Sequence, residues 1–324
     1  MAVLVTGGAG YIGSHTVRRL REAGIDTVVL DTLERGRAEA LLGAPLVVGS
    51  IADESLVAEV CREHSITAVI HFAAHKSVGE SMVNPGPYWT NNVQGTVHLI
   101  EGMLAADVRT IVFSSSAAVY GSPEQVPITE QAPVRPENVY AETKAMMERV
   151  IKWYGVTSGL TWASLRYFNA AGASADGVIG EDWSSTTNLV PLVMRAALTD
   201  AGPVDVFGTD FDTPDGSGVR DYIHVEDLAE AHLSALRHLE DGGENLTVNL
   251  GTGTGTSVLE ILSMTAEVHG AEVPHRLAER RIGDPATVYA DSTRAATELG
   301  WTATRDLRDI ITSAYAWHSR GGTI

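Results

Sequence analysis

The sequence predicts an α/β fold built on a doubly wound parallel sheet, with a smaller, loop-rich C-terminal substrate domain. Three observations predict it. Short apolar runs bounded by turn residues alternate with helix-period stretches through the first half. The runs are apolar throughout, without strict alternation, as strands covered on both faces are. A glycine-rich turn follows the first of them directly.

Taken in order, Ala2–Thr6, Thr27–Asp31, Leu46–Val48, Ala68–Phe72, Thr110–Ser114 and Thr161–Arg166 read as strands. Ile12–Ala23, Asp53–Glu63, Gly95–Ala105 and Tyr140–Tyr154 carry the helical period between them. Beyond Asn169 the texture changes to glycine, aspartate and proline, as in Gly202-Pro203 and Asp212–Gly218. Within this stretch Asn188–Leu198 and Val225–Leu236 read as helices, and Val248–Leu250 as a late strand able to rejoin the sheet. No repeat or low-complexity tract is visible, so the two parts are expected to interleave without a linker.

The 324 residues are 44% hydrophobic and 20% charged, enough for one large or two modest cores. The one cysteine, Cys61, excludes an internal disulfide and fits a reducing compartment. No run approaches a membrane span, and Met1–Thr6 leads straight into glycines without a basic leader, so a cytoplasmic protein is expected. A net charge of -18 argues against non-specific nucleic-acid binding, which basic side chains drive. A small phosphorylated ligand is still compatible with it, held by helix N-termini and one or two arginines. No metal is expected.

Gly7-Gly8-Ala9-Gly10-Tyr11-Ile12-Gly13 sits in the strand-turn-helix setting of a dinucleotide loop. Gly7, Gly10 and Gly13 allow a tight turn, close approach of backbone N–H groups to a pyrophosphate, and close helix packing as Tyr11 and Ile12 enter the helix. Asp31 ends the next strand, about 20 residues on, where a carboxylate accepts hydrogen bonds from ribose hydroxyls and repels a 2′-phosphate. NAD is therefore the expected cofactor. Arg35 and Arg37, close behind, are the feature an NADP site would use. Residues 1–168, joined by parts of 219–255, thus read as a Rossmann-type NAD-binding domain, and mainly 169–324 as the substrate domain.

Tyr140 and Lys144 stand four residues apart on the last helix of that domain, on one helical face. Bringing a tyrosine from about 10 to near 7 takes roughly 4 kcal/mol. A lysine about 4 Å away supplies that amount at an effective dielectric near 20. Upstream, Thr110–Ser114 ends in consecutive hydroxyls at the sheet's ligand-bearing edge, so Ser116 is placed to hydrogen-bond a substrate hydroxyl while Tyr140 takes its proton. Arg220 and Arg281 are candidates for bidentate diphosphate contacts, although Arg280-Arg281 also reads as a solvent-facing turn.

Five stretches, Val5–His15, His71–Ser81, Phe113–Gly121, Arg166–Gly172 and Gly218–Val225, resemble the extended short-chain dehydrogenase/reductase superfamily and, within it, the UDP-glucose 4-epimerases. The resemblance spans nearly the whole chain, and the last four stretches are more specific than the glycine loop. It implies that Tyr140 deprotonates a sugar 4-hydroxyl with Ser116 relaying the proton, while hydride passes from C4 to NAD. The 4-keto sugar then swings about its pyrophosphate and takes the hydride back on its other face. Lys144 would hold the nicotinamide ribose.

The same match implies cofactor contacts from Thr32, Ser50, Ile51, Phe72, Ala73, Ala74, Lys76, Asn91, Ser114 and Tyr167. Lys76 would lie near the pyrophosphate and Asn91 near the nicotinamide. A solvated loop lysine and a helix cap are their plain alternatives. For the UDP-sugar it implies Lys76, Ala117, Phe168, Asn169, Asn188, Leu189, Val206, Phe207, Tyr222 and Asp284, beside Arg220 and Arg281. Phe207 is equally consistent with core packing. Relatives form homodimers through a four-helix bundle that includes the tyrosine-bearing helix. Met146, Met147, Val150 and Ile151 would supply its stripe or else belong to the core.

Two positions depart from the family pattern. Ser50 stands where many relatives carry an aspartate that contacts adenine, which weakens that contact. Val288 falls where relatives selective for plain hexoses carry a tyrosine, which implies room for UDP-N-acetylglucosamine; an alignment off by one would put Tyr289 there instead. A nucleotide-sugar dehydratase needs a carboxylate pair where this chain has Ala117-Ala118. A UDP-glucuronate 4-epimerase uses the same steps and stays an open alternative. A catalytically idle NAD-binding protein would have no need of Ser116, Tyr140 and Lys144 together.

Overall fold

The computed structural model describes residues 1–184, 186–281 and 284–322. Seven parallel strands form its central sheet: β1 (Ala2–Thr6), β2 (Asp26–Asp31), β3 (Leu46–Val48), β4 (Ile66–His71), β5 (Thr110–Ser114), β6 (Thr161–Tyr167) and β7 (Leu246–Leu250). Their spatial order is β7-β6-β5-β4-β1-β2-β3. The order reverses direction at β1 and β4, so a crevice opens at their carboxyl ends, where doubly wound sheets bind ligands. The late strand does rejoin the sheet: Leu246–Leu250 pairs in parallel with Ala163–Tyr167.

Helices cover both faces. On one, α1 (Tyr11–Glu22) and α5 (Val225–Glu240) bury Val17, Leu20, Leu228 and Leu236 against Val3, Val5 and Ile70. On the other, α2 (Glu54–Glu63), α3 (Gly95–Ala105) and α4 (Val139–Ser158) bury Val57, Leu99, Met103, Met147 and Ile151 against Leu4, Val69 and Phe113. Met147 and Ile151 are therefore core residues, whereas Trp153 and Val156 are exposed on α4. The helix outruns the expected Tyr154 because Asn138 caps its first turn and Gly159, in the left-handed region at φ +68°, ends it. Among the described residues no helix is long and apolar enough to cross a membrane.

A third core lies between the helices Leu189–Leu198, Val258–His269 and Leu307–His318 and includes Val193, Met194, Ile261 and Ile311. Small pairings bring the second half to the crevice. Asn169–Ala171 runs parallel to Tyr222–His224, and Val219–Arg220 is flanked by Thr287–Val288 and Thr256–Ser257.

Candidate active site

The turn after β1 is packed as tightly as its glycines allow. A Cβ on Gly7 would lie 2.6 Å from the Ala73 amide nitrogen, and one on Gly13 would lie 2.4 Å from the Gly7 carbonyl oxygen. Opposite, the Phe72 and Ala73 N–H groups both donate to the Thr6 carbonyl at 2.9 and 3.1 Å, fixing the carboxyl end of β4 against the turn. No side chain caps α1 at Gly10, which leaves its first-turn N–H groups available to an anion. Asp31 stands at the rim, its carboxylate accepting from the Ala9 and Leu33 amides at 3.0 and 2.9 Å and keeping lone pairs for ribose hydroxyls.

These features fit a dinucleotide without a 2′-phosphate, because both nearby arginines are engaged. Arg35 pairs with Glu80 at 2.9 Å and Arg37 with Asp182 at 3.4 Å. The Ser50 hydroxyl accepts from the Ala52 amide within its own turn at 3.1 Å. Ile51 is buried, with its tip 3.0 Å from where a Cβ on Gly95 would sit. Thr32 is exposed beside Asp31, and Ala74 is half-buried after β4.

The consecutive serines after β5 divide their work three ways. Ser114 Oγ bonds the Tyr167 hydroxyl at 2.8 Å. Ser115 Oγ turns inward and donates to Glu148 at 2.6 Å. Ser116 Oγ accepts from the Ala118 amide at 3.2 Å and lies close enough to the Tyr140 phenol to favour its ionised form. Ser116 and Tyr140 thus stand side by side at the mouth of the crevice. The interior opposes the charged forms of both Tyr140 and Lys144.

Burial raises the Tyr140 phenol above its ordinary value, and the Ser116 hydroxyl is what draws it back. Lys144 is only 4% exposed; burial pushes it down to about 7 while the nearby Glu148 carboxylate favours its charged form. Its ammonium donates to the Ser114 carbonyl at 2.9 Å and lies 4.9 Å from the centre of the Phe113 ring. Counting one charge at a short distance omitted the desolvation that both groups undergo in the interior, and here desolvation is the larger influence.

Two positioning residues escaped the sequence analysis. Asn92 lies in the π-helical turn Trp89–Gln94 and is fully buried. It exchanges hydrogen bonds with the His75 backbone at 2.8 and 3.0 Å and donates to Thr143 Oγ1 at 3.0 Å, tying the loop after β4 to α4. Asn91 next to it is half-buried and donates to the Asn92 side chain. Glu148, one turn beyond Lys144, forms a bidentate pair with Arg166 of β6 at 2.8 and 2.5 Å, both side chains 4% exposed or less. Arg166 extends the network through the Tyr120 hydroxyl to Asn249 of β7. A π-helical turn and a buried ion pair are long-range constructions, and neither leaves a local pattern in sequence.

Across the crevice, Arg220 lies 3.5 Å from the Asp284 carboxylate, and the Arg281 guanidinium lies 3.9 Å from the centre of the Phe207 ring. Half-buried Phe207 is therefore stacked against a cation and not simply enclosed. Val206, out of phase with it, is fully buried in the third core, and Tyr222 is all but enclosed there with burial lifting its phenol to about 12. Both side chains therefore belong to the core. In Val204–Phe207 strand alternation sends Val206 inward, whereas Tyr222–His224 is buried throughout.

Exposed Asn169 donates through its side chain to the Asp221 carbonyl at 3.2 Å. Asn188 donates to Glu181 at 2.7 Å, and Leu189 packs partly on the third core. Lys76, also on Glu181 at 3.4 Å, keeps a side chain 61% exposed. Val288 packs with Phe168 against the cluster of Ala117, Tyr120 and Ala145, while Tyr289 lies against Gly255. Valine, not tyrosine, is thus the residue beside the serine loop. Buried Asp221 accepts from Thr252 and Ala290, and its amide donates to the Val288 carbonyl at 3.1 Å, which keeps Val288 paired beside Arg220.

A family model described as the NAD dependent epimerase/dehydratase family matches residues 3–251. The chain is 47% identical over 320 residues to the UDP-glucose 4-epimerase of Lactobacillus helveticus, covering 98% of this chain and 97% of that protein. It superposes at a TM-score of 0.96 on the crystal structure of UDP-glucose 4-epimerase from Brucella ovis in complex with NAD, 44% identical over 98% of each chain. The enzyme from Stenotrophomonas maltophila with bound NAD and formylated UDP-arabinopyranose gives 0.95 at 43% identity, covering 98% of this chain and 97% of that one.

Proposed function

The chain belongs to the NAD-dependent epimerase/dehydratase family, and from this premise we propose that it catalyses the 4-epimerisation of a UDP-hexose, interconverting UDP-glucose and UDP-galactose. The observation that carries the reading is the placement of Ser116, just past the carboxyl end of β5, beside the Tyr140 phenol on which its hydroxyl acts, with Ala117-Ala118 next to it where an elimination would need carboxylates. The glycine turn, Asp31 and the loop after β4 would hold NAD, which would supply a reversible hydride acceptor for sugar C4. Tyr140 takes the proton of the 4-hydroxyl and returns it, and Ser116 holds that hydroxyl and the phenol in line. Lys144, fixed to the Ser114 carbonyl, would hold the nicotinamide ribose.

Arg220 and Arg281 grip the diphosphate, Asn169 and Asn188 line its path, and Phe207 with Asp284 takes the uridine. Val288 leaves room beside Ala117, so UDP-N-acetylglucosamine is a second substrate. Residues 1–168 with parts of 219–255 form the NAD-binding unit and mainly 169–324 the substrate unit, which the strand Leu246–Leu250 interleaves. The protein acts in the cytoplasm as a homodimer. Exposed Trp153 and Val156 on α4 support a partner on that face.

Separate incubations with UDP-glucose, UDP-N-acetylglucosamine and UDP-glucuronate, each followed for its 4-epimer, test the reading. Conversion of the first two is expected. Exclusive conversion of the uronate overturns it, and a preference beyond about a thousandfold for the plain hexose removes the role given to Val288, since one pocket methylene is worth far less.

A further inference from the structure

We infer that Glu181 is a positioning residue that couples the two halves of the cleft, so that the protein's hold on NAD and its hold on the UDP-sugar both depend on one carboxylate that touches neither ligand. The inference rests on the roles proposed for Lys76 toward the cofactor and Asn188 toward the substrate.

Glu181 follows the strand Asn169–Ala171 and precedes the helix Leu189–Leu198. Its side chain is 6% exposed. A single oxygen, Oε1, accepts from Lys76 Nζ at 3.4 Å, Thr186 Oγ1 at 2.9 Å and Asn188 Nδ2 at 2.7 Å. Lys76 arrives from the carboxyl end of β4. Asn188 occupies the cap position of the helix Leu189–Leu198, yet its side chain caps nothing and turns back to the carboxylate.

Oε2 is buried without a partner, so Oε1 carries all three contacts, and the backbone beneath the carboxylate is fixed. The Trp317 indole N–H donates to the Glu181 carbonyl at 3.0 Å, and the indole ring fills the space next to Gly180, 2.6 Å from where a Cβ would stand. The neighbouring Asp182 takes Arg37, from the segment behind Asp31, at 3.4 Å. This acidic dipeptide from the second half is thus pinned by cations from the loops after β2 and β4. Enclosing a carboxylate costs several kcal/mol unless donors repay it. Thr186 and Asn188 alone would be served by a neutral amide, so the charge at this position is explained by Lys76. Because Lys76 is mostly exposed and Glu181 is not, the lysine is the mobile partner and the glutamate the anchor.

Glu181→Gln and Glu181→Ala separate the two ties. Glutamine keeps a carbonyl oxygen for Thr186 and Asn188 but offers Lys76 no charge. NAD release from the holoenzyme, followed by nucleotide fluorescence after dilution, is expected to quicken about tenfold in both variants, as loss of one charge-assisted contact implies. KM for UDP-galactose is expected to stay within about twofold in Glu181→Gln and to rise about tenfold in Glu181→Ala, with kcat at saturating NAD nearly unchanged in both. Adding Lys76→Met to Glu181→Gln is expected to quicken NAD release no further, as shared partners require.

Unchanged NAD release in both variants overturns the inference. So does a Glu181→Gln variant indistinguishable from Glu181→Ala in KM, or a loss of kcat that tracks a lowered melting temperature, either of which assigns Glu181 to the fold alone. A parent protein without turnover on UDP-galactose instead sinks the functional reading, and the NAD-release comparison still stands.

Discussion

The end of the crevice where the proton moves and the end where the nucleotide is gripped are built in opposite ways. Around Tyr140 the polar groups are enclosed and held by fixed partners: Lys144 by the Ser114 carbonyl, Glu148 by Arg166, and Thr143 by Asn92. At the other end Arg220 and Asp284 pair with each other at 22% and 37% side-chain exposure, and Arg281 rests on an aromatic ring. Chemistry profits from donors and acceptors that need not reorganise when charge develops, and a dry setting strengthens each of them. A grip profits from cations that can leave a weak partner for a phosphate. Enclosure at one end and loose pairing at the other are thus two answers to different demands on the same ligand.

The largest test of that contrast is Tyr140→Phe. It is expected to lower kcat by about 10²–10⁴-fold while KM for UDP-galactose changes little. A comparable rise in KM with kcat intact would erase the distinction between the two ends. Next comes Glu148→Ala, which strands Arg166 in the interior and is expected to cost about 3–5 kcal/mol in urea unfolding. Its surface counterpart, Arg308→Ala, breaks the exposed pair with Glu267 and is expected to leave the unfolding midpoint unmoved.

Arg220→Ala follows, with an expected loss of about 1.5–3 kcal/mol in UDP binding to the holoenzyme by calorimetry and a nearly unchanged kcat at saturation. The smallest effect concerns pH. Burial brings Lys144 from its ordinary 10.5 down to about 7 in the folded chain, so between those values the unfolded chain holds more protons. Its contribution to folding therefore improves as pH rises from about 7, by roughly 1 kcal/mol over the first unit, in protein freed of nucleotide. Lys144→Met is expected to flatten that slope in denaturation curves taken across this range.

The same contrast marks how far the sequence could be read. The sheet was legible because strands covered on both faces announce themselves as unbroken apolar runs, and the glycine turn because its spacing is local. Tyr140 and Lys144 were legible for the same reason, four residues apart on one helix. The fate of three consecutive serines was not. Ser115 turns away from the crevice because Glu148, 33 residues later, waits behind it. Asn92 was passed over for its neighbour Asn91 because only the folded π-helical turn shows which side chain faces His75 and Thr143. The electrostatics of the pair were not legible either, because burial, which no local spacing reveals, shifts both Tyr140 and Lys144 toward neutrality. Val206 and Phe207 are neighbours in sequence, yet strand alternation puts one in the core and the other against Arg281.

One measurement bears on the central claim most directly: purified holoenzyme is given UDP-galactose with no added nucleotide cofactor, and UDP-glucose and reduced nicotinamide are followed together. The account predicts that UDP-glucose rises to a fixed equilibrium ratio over many turnovers while reduced nicotinamide does not accumulate. Reduced nicotinamide that builds up in step with an oxidised sugar, or no UDP-glucose at all, would contradict it.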